Sequence, residues 1–424
     1  MYFQVSLFVI HILLGDIIAL RPPDSSIIPT NWTDTPTITY IRLGDLPPPY
    51  NSSSASKPAK VVPIPENPRL VVRRGFQVNI YADKLDQPRW LQLTPEGNVL
   101  VTETAANRIR LLNDTNGDGV ADNFTIFADA SNGLNQPFGM AFFSNYFYLG
   151  NSAEVRRYRY RNGQNRLEGN GQKIMDLPSG GHWTRNVIIS SKENKLYVSV
   201  GSASNVGEEP LPRASIIRSN LDGTKKEIFA WGLRNPVGLD FHPVTGALYT
   251  TVNERDNLGD DLVPDYLTLV QKNTFYGWPY AYLSPNLPDP RMEGKRPDLV
   301  RDTKTPDVLF QSHSAALGLA FYNQTKFPKR YQNGAFVAFR GSWNRNAGTG
   351  YKIVFVSFGW NNIPRGSYED FLDGFLIDPQ GPTVWGRPVG VLVLPDGSLI
   401  FTEEGNGRIY RIDYIGKRSN RTDK

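Results

Sequence analysis

Residues 238–252 read GLDFHPVTGALYTTV: an alternating strand led by glycine, a Pro/Thr/Gly turn, and a second β-branched strand. Apolar and polar residues alternate with the period of a half-buried strand, and Gly246 tolerates the positive φ of a tight turn, so the stretch is a β-hairpin. Working outward, the same signal recurs. WLQL at Trp90, GMAF at Gly139, NVII at Asn186, GLAF at Gly318 and GVLV at Gly390 each begin a short strand led by Gly or a substitute, so that with GLDF there are six copies. Partner strands follow in TPEGNVLVTE, SSKENKLYVSV and LPDGSLIFTEE. Successive starts lie 49, 47, 52, 80 and 72 residues apart, near the ~40–50 residues of a propeller blade, with loop insertions in the last two intervals. An all-β, six-bladed β-propeller is expected; a β-sandwich would not repeat one hairpin signature across the chain. The strand FQVNIYA, Phe76 to Ala82, is expected to close the ring by joining the blade that holds GVLV.

Outside the repeats the sequence changes character. Residues 1–20 carry a short apolar run interrupted by His11 and Asp16, which reads as a signal peptide and not a membrane span. Residues 21–74 are rich in Pro and Ser and are expected to form an extended arm around the outside; residues 75–414 form the propeller, and 415–424 a polar tail. Six Asn-X-Ser/Thr sequons, at Asn31, Asn51, Asn113, Asn123, Asn323 and Asn420, favour a secreted protein. The 424 residues include no cysteine, so thiol chemistry is excluded and stability must come from the core. A net charge of +5 without long basic runs gives no reason to expect nucleic acid as a partner.

Residues just before each first strand enter the central channel from one face: Arg89, Asn135-Gln136, His182, Arg234-Asn235, His313-Ser314 and Arg387. Loops after each second strand add Glu103, Glu254-Arg255-Asp256, Arg340 and Glu403. Four arginines converging on one axis repel unless an anion offsets them, and a guanidinium fork suits a carboxylate. His182, in GGHWTRN, is aimed into that cleft; His242 sits in a turn on the opposite face and reads as structural. The loop NDTNGDGVADN places Asp114, Asn116, Asp118 and Asp122 at positions one, three, five and nine with Gly119 at the sixth, an oxygen-rich calcium pattern without the usual position-twelve glutamate.

GGHWTRN, GLRNPVGLDF, NERDNLGDD, NTFYGWPY, VAFRGSWNR and RPVGVLVLPDG, in this order, resemble the quinoprotein family of soluble sugar dehydrogenases that use pyrroloquinoline quinone (PQQ), nearest its L-sorbosone and pyranose dehydrogenase branch. The resemblance implies oxidation of a sugar hydroxyl, with His182 as general base, Arg234 and Asn235 at the reactive quinone edge, and Arg340 and Arg387 on cofactor carboxylates. Arg89 joins the cofactor-binding set through its place in the ring. It also implies a calcium ion held by main-chain carbonyls near Arg255 and Asp256, and an electron acceptor that the sequence does not name. Gly181 stands where glucose dehydrogenases of that family carry a carboxylate, and Val389 where they carry a second arginine. Two other readings share the fold class: a calcium-dependent lactonase, with Glu103, Glu254 and Asn257 in its site, and a non-catalytic binding propeller.

Overall fold

The computed structural model describes residues 26–416; the expected signal peptide, Asn420 and most of the C-terminal tail lie outside them. The regular structure of the described chain is almost all β, with one short α-helix at Pro297–Arg301 and a few single-turn 3-10 segments. Six antiparallel meanders follow one another, and each begins with one of the six repeat strands. Sheet 1 runs Pro88–Leu93, Val99–Glu103, Arg108–Asn113, Asn123–Ala128; sheet 2 starts at Met140–Phe143, sheet 3 at Val187–Ser190, sheet 4 at Asn235–Phe241, sheet 5 at Ala316–Phe321 and sheet 6 at Pro388–Val393. No sheet closes on itself. Phe76–Ala82 pairs with Arg408–Tyr414 and so completes sheet 6 from the N-terminal side, as expected.

The leading glycines are there because neighbouring first strands nearly touch. A Cβ on Gly139 would lie 2.4 Å from the Val187 nitrogen, on Gly238 2.4 Å from the Leu317 carbonyl oxygen, on Gly318 2.4 Å from that of Val389, and on Gly390 2.4 Å from that of Arg89. Those four contacts link sheets 2 to 3, 4 to 5, 5 to 6 and 6 to 1. The Asn186 amide bridges sheets 3 and 4 through the Val237 carbonyl (2.9 Å), and Thr104 bridges sheets 1 and 2 through that of Pro137 (2.7 Å). The neighbour circuit is therefore unbroken. Hydroxyls on the second strands stitch it further: Thr251 accepts from Gly238 N–H (2.9 Å) and donates to Leu317 (2.7 Å), and Thr402 does the same between Gly390 and Arg89 (2.7 Å each). Each such hydroxyl serves a bulged N–H that a regular ladder would leave unpaired.

The N-terminal arm is woven into the sheets: Thr30–Thr33 runs parallel to Leu70–Arg73, which pairs with Pro364–Asp373 of sheet 5, and Ile38–Tyr40 pairs with that same strand. Ile27–Ile28 extends sheet 6, and Lys60–Val61 joins a small sheet with Thr383–Val384. An edge strand offers unpaired N–H and C=O groups, and the short non-proline runs of the arm take them up. Between these strands the arm crosses two loops. Tyr50 N–H reaches the Leu258 carbonyl (2.8 Å), Lys57 N–H that of Trp343 (2.7 Å), and Asn344 donates to the Ala55 carbonyl (2.6 Å).

Candidate active site

A cavity of about 460 Å³ opens where the loops before the first strands and after the second strands meet, within the ~300–1,000 Å³ range of small-molecule sites. His182 lies on its wall, in the loop between sheets 2 and 3, and its placement is over-determined. Gly181 (φ +65°) passes so close to the next loop that a Cβ would be 2.3 Å from Ala203 Cα. Arg185, fully buried, donates to the carbonyls of Pro178 (2.6 Å), His182 (2.6 Å) and Thr184 (2.8 Å), and burial pulls its pKa down to about 10. Arg185 and Asn186 are thus framework and not ligand-binding groups.

The Nδ1 of His182 lies 2.9 Å from the Ser202 carbonyl oxygen and 3.1 Å from Ser202 Oγ. A carbonyl only accepts, so Nδ1 carries the proton and Nε2 keeps its lone pair. Burial, helped by the charge of Arg234, lowers the imidazole pKa from 6.5 to about 4. The ring is neutral at pH 7 and basic at Nε2.

Arg234 is a fixed charge. Its Nε donates to Asn205 O (3.1 Å), Nη1 to Glu254 O (2.7 Å), and Nη2 to Asn205 Oδ1 (3.0 Å) and Asp256 Oδ2 (3.1 Å). Asn235 lines the same wall, and its Oδ1 is buried without a hydrogen-bond partner. On the other side of Asp256 stands His313, with Nε2 donating to the Gly259 carbonyl (3.0 Å) and Nδ1 3.7 Å from Asp256 Oδ1. Burial opposes its charge, but the Asp256 carboxylate and the Gly259 carbonyl outweigh that and raise its pKa. Glu254 and Asp265, both buried, are pushed up to about 7 and about 6 by desolvation.

The other arginines meet at a carboxylate that sequence reasoning passed over. Arg89, Arg340 and Arg387, from sheets 1, 5 and 6, all reach Glu404: Arg89 by a short ion pair, Arg340 Nε at 2.5 Å and Arg387 at 3.7 Å. Arg89 also stacks over Trp183 at 5.1 Å. Three guanidinium groups share one carboxylate, and the buried Nε atoms of Arg89 and Arg387 have no partner. That surplus of charge and donors fits an anion with more than one carboxylate.

Several expected members do not line the cavity. Asn135 and Gln136 are absent from the lining, and their backbone N–H groups donate to Asn151 Oδ1 (3.1 Å) and Asn107 Oδ1 (2.7 Å). Glu103 turns to Arg108, Arg110 and the Asp86 N–H, and Glu403 caps its own turn on the N–H groups of Gly405 and Asn406 and also accepts from Arg387 N–H. Arg387 contacts Glu404 outside the lining. Arg255 turns into the interior to pair with Asp289 at 2.9 Å. The oxygens expected to hold calcium carry donors: the Asp256 carbonyl accepts from Asn205 Nδ2 (3.0 Å), and Arg234 sits on those of Asn253 and Glu254. A guanidinium at that place disfavours a cation, so this donor set does not fit the ion, and no step is derived through it.

The Asp114–Asp122 loop is elsewhere, between sheets 1 and 6, where Asn79 donates to Gly119 O (3.3 Å) and Ala121 N–H to Tyr81 O (2.7 Å). Asp114 accepts from the N–H groups of Gly117, Asp118 and Gly119, Asn116 from Asp118, Asp118 from Val120, and Asp122 from Thr115. Its oxygens serve the turn itself. Among the described residues no group of three or more His, Asp or Glu side chains converges to hold a metal ion.

Asn205, Trp183, Trp343 and Asp265 line the cavity as well. Asn205 and its neighbours follow the second strand of sheet 3, so the rule that found Arg340 would have found them if applied to that loop.

Comparison with known proteins agrees with the span of the repeats. The TrAA12-like family model matches residues 70–273 and 296–414, broken at one of the two inserted intervals. An uncharacterized protein of Borreliella burgdorferi is 31% identical over 362 residues, 81% of this chain and 91% of its own length. The pyrroloquinoline quinone-dependent sugar dehydrogenase of Hypocrea jecorina is 24% identical over 403 residues, 81% of this chain and 89% of its own. The calcium structure of the Trichoderma reesei carbohydrate-active enzyme of family AA12 superposes with a TM-score of 0.70 at 22% identity, over 84% of this chain and 98% of that one. This chain belongs to the TrAA12-like family.

Proposed function

We propose that the protein is a PQQ-dependent dehydrogenase that oxidises a hydroxyl of a sugar, and that its six meanders are the blades of one six-bladed β-propeller with the site at the mouth of the central channel. The observation that carries the reading is the pairing of a neutral imidazole, its Nε2 lone pair available, with three guanidinium groups that have only one acid between them. The Hypocrea relative's activity supports it.

In this reading His182 Nε2 takes the proton of the reacting hydroxyl while the carbon-bound hydrogen leaves with its electron pair. PQQ, when bound, supplies the two-electron sink. Arg340 would hold a carboxylate of the cofactor, with Arg89 and Arg387 adding positive charge around the shared Glu404; Arg234 adds a fixed positive charge beside the base, and Asn235 offers an amide to the same space. Ser202 keeps the base in the productive tautomer without adding a negative charge, so the imidazole stays a weak base and is not protonated in competition with substrate. An electron acceptor outside the chain would complete the turnover, and secretion is the setting we assign, in keeping with the short apolar run of residues 5–14 and the six sequons; among the described residues no helix is long and apolar enough to cross a membrane.

The test is reconstitution. Purified protein is mixed with PQQ, with and without calcium, and the quinone absorbance and dye reduction are recorded across a panel of sugars. The expected outcome is a spectral change and sugar-dependent turnover, with His182→Gln retaining quinone binding and losing turnover. Lactone hydrolysis without any quinone response would refute the reading, and so would normal turnover by the His182→Gln protein.

A further inference from the structure

We propose that Glu404 is a built-in counter-anion, which holds the three guanidinium groups together in the ligand-free protein and yields one of them, Arg340, to an incoming polycarboxylate. The naming of PQQ as that polycarboxylate rests on the functional reading above; the anion site itself does not.

Glu404 follows the second strand of sheet 6 and is nearly buried, yet its carboxylate touches arginines contributed by three sheets. Without it, Arg89, Arg340 and Arg387 would face one another across a poorly solvated space, which repels like charges strongly. The adjacent Glu403 does not share the task, since both its oxygens accept from N–H groups of Arg387, Gly405 and Asn406. One acid therefore faces three cations, and the site retains a surplus of two positive charges.

The three partners are not equivalent. Arg89 is pinned between Glu404 and the Trp183 ring, and Arg387 lies outside the cavity lining. Arg89 and Arg340 both line the cavity, but the Arg340 side chain is 30% exposed against 12% for Arg89. Of the three, Arg340 alone has room to turn from the internal carboxylate to a ligand's. Glu404 then keeps Arg89 and Arg387 aligned, and the same carboxylate that makes the empty site foldable also competes with the ligand.

The experiment measures anion binding by calorimetry at fixed ionic strength, with citrate and PQQ as separate probes, for wild type, Glu404→Gln and Glu404→Asp. Removing the competing charge while keeping the shape is expected to tighten citrate and PQQ at least tenfold in Glu404→Gln and to lower the melting temperature of the ligand-free protein. Glu404→Asp, which keeps the charge, is expected to bind within threefold of wild type. Equal or weaker binding by Glu404→Gln, or the same gain in the Asp protein, would overturn the proposal. If the Gln protein does not fold, a crystal structure of wild type with citrate decides: a broken Arg340–Glu404 ion pair supports the proposal, an intact one refutes it. A protein that gains citrate affinity on substitution but shows no quinone response keeps this inference and loses the functional reading.

Discussion

His182 should make the protein acid-sensitive in a window set by its own burial. In the unfolded chain its imidazole titrates at 6.5, and in the fold near 4. Between those values the unfolded state binds a proton that the native state refuses, so stability falls as pH drops from 6.5 to 4, and the full penalty is present below that range. Above 6.5 the group contributes nothing to the slope. The separation corresponds to about 3 kcal/mol at 1.36 kcal/mol per pH unit, a sizeable share of the ~5–15 kcal/mol that holds a typical domain together. Glutamine does not titrate, so the His182→Gln protein lacks this component whatever its stability at neutral pH. The assay is urea unfolding followed by tryptophan fluorescence at a series of pH values from 7.5 to 4, for both proteins. Other titrating groups act on both curves and cancel in the difference. The expected result is that wild type loses about 3 kcal/mol relative to the variant over this range. Parallel profiles would show that the imidazole is not desolvated, and the argument for a neutral base at Nε2 would fall with it.

Two further outcomes test the framework. Gly238→Ala drives a methyl to 2.4 Å from the Leu317 carbonyl and 2.7 Å from Thr251 Oγ1, with an expected cost of ~1–3 kcal/mol or more from overpacking; Gly246→Ala, at φ +70° with nothing within 4 Å, should cost only about 1 kcal/mol of backbone strain. Urea midpoints compare the two, and an equal loss would deny the close approach of sheets 4 and 5. Asn344→Ala removes the acceptor of Asn257 N–H (2.8 Å) and the donor to Ala55 O (2.6 Å), at about 2–4 kcal/mol for the groups left unpaired. It should also expose the arm near residues 50–57 to limited proteolysis, and resistance equal to wild type would show that the arm is held independently.

The fold was legible because its decisive feature is short-range. A glycine leads a repeat strand wherever the next sheet's backbone would meet a Cβ, so the hairpin signal and the inter-sheet contact are the same residue at Gly238, Gly318 and Gly390. His182, Arg89, Arg234, Asn235 and Arg340 were found by the same logic, since their distance from the strand start fixes which face they enter. What stayed hidden depends on direction and pairing. Glu403 and Glu404 are neighbours in sequence, yet the first caps its own turn and the second gathers three arginines, and nothing in the letters says which carboxylate points to the axis. Arg234 is a similar case: its position was legible, but its engagement with Asn205 and Asp256 depends on loops from two different sheets. The arm was read as wrapping from its prolines, and its pairing with sheets 5 and 6 depends on free edges that only the assembled fold supplies.

The distribution of charge in the cavity also bears on how a ligand must lie. At one end Arg89, Arg340 and Arg387 outnumber Glu404; at the other, Asp256 is held ionised by Arg234 and His313 despite its burial, with Glu254 and Asp265 close by and titrating near neutrality. A molecule with carboxylates on one side is drawn to the first end and repelled by the second as those acids ionise, so the cavity orients it before any specific contact forms. His182 and Arg234 stand together on the wall by the second end, which is where the uncharged, reacting side of such a ligand would then be presented. Raising pH from 6 to 8 ionises Glu254 and sharpens this polarity without altering the guanidinium end. Affinity for a symmetric tricarboxylate that is fully ionised throughout this interval, such as benzene-1,3,5-tricarboxylate, should therefore fall, and a Glu254→Gln protein should show a flatter profile. An affinity independent of pH in both proteins would mean that the two ends do not act on the same ligand.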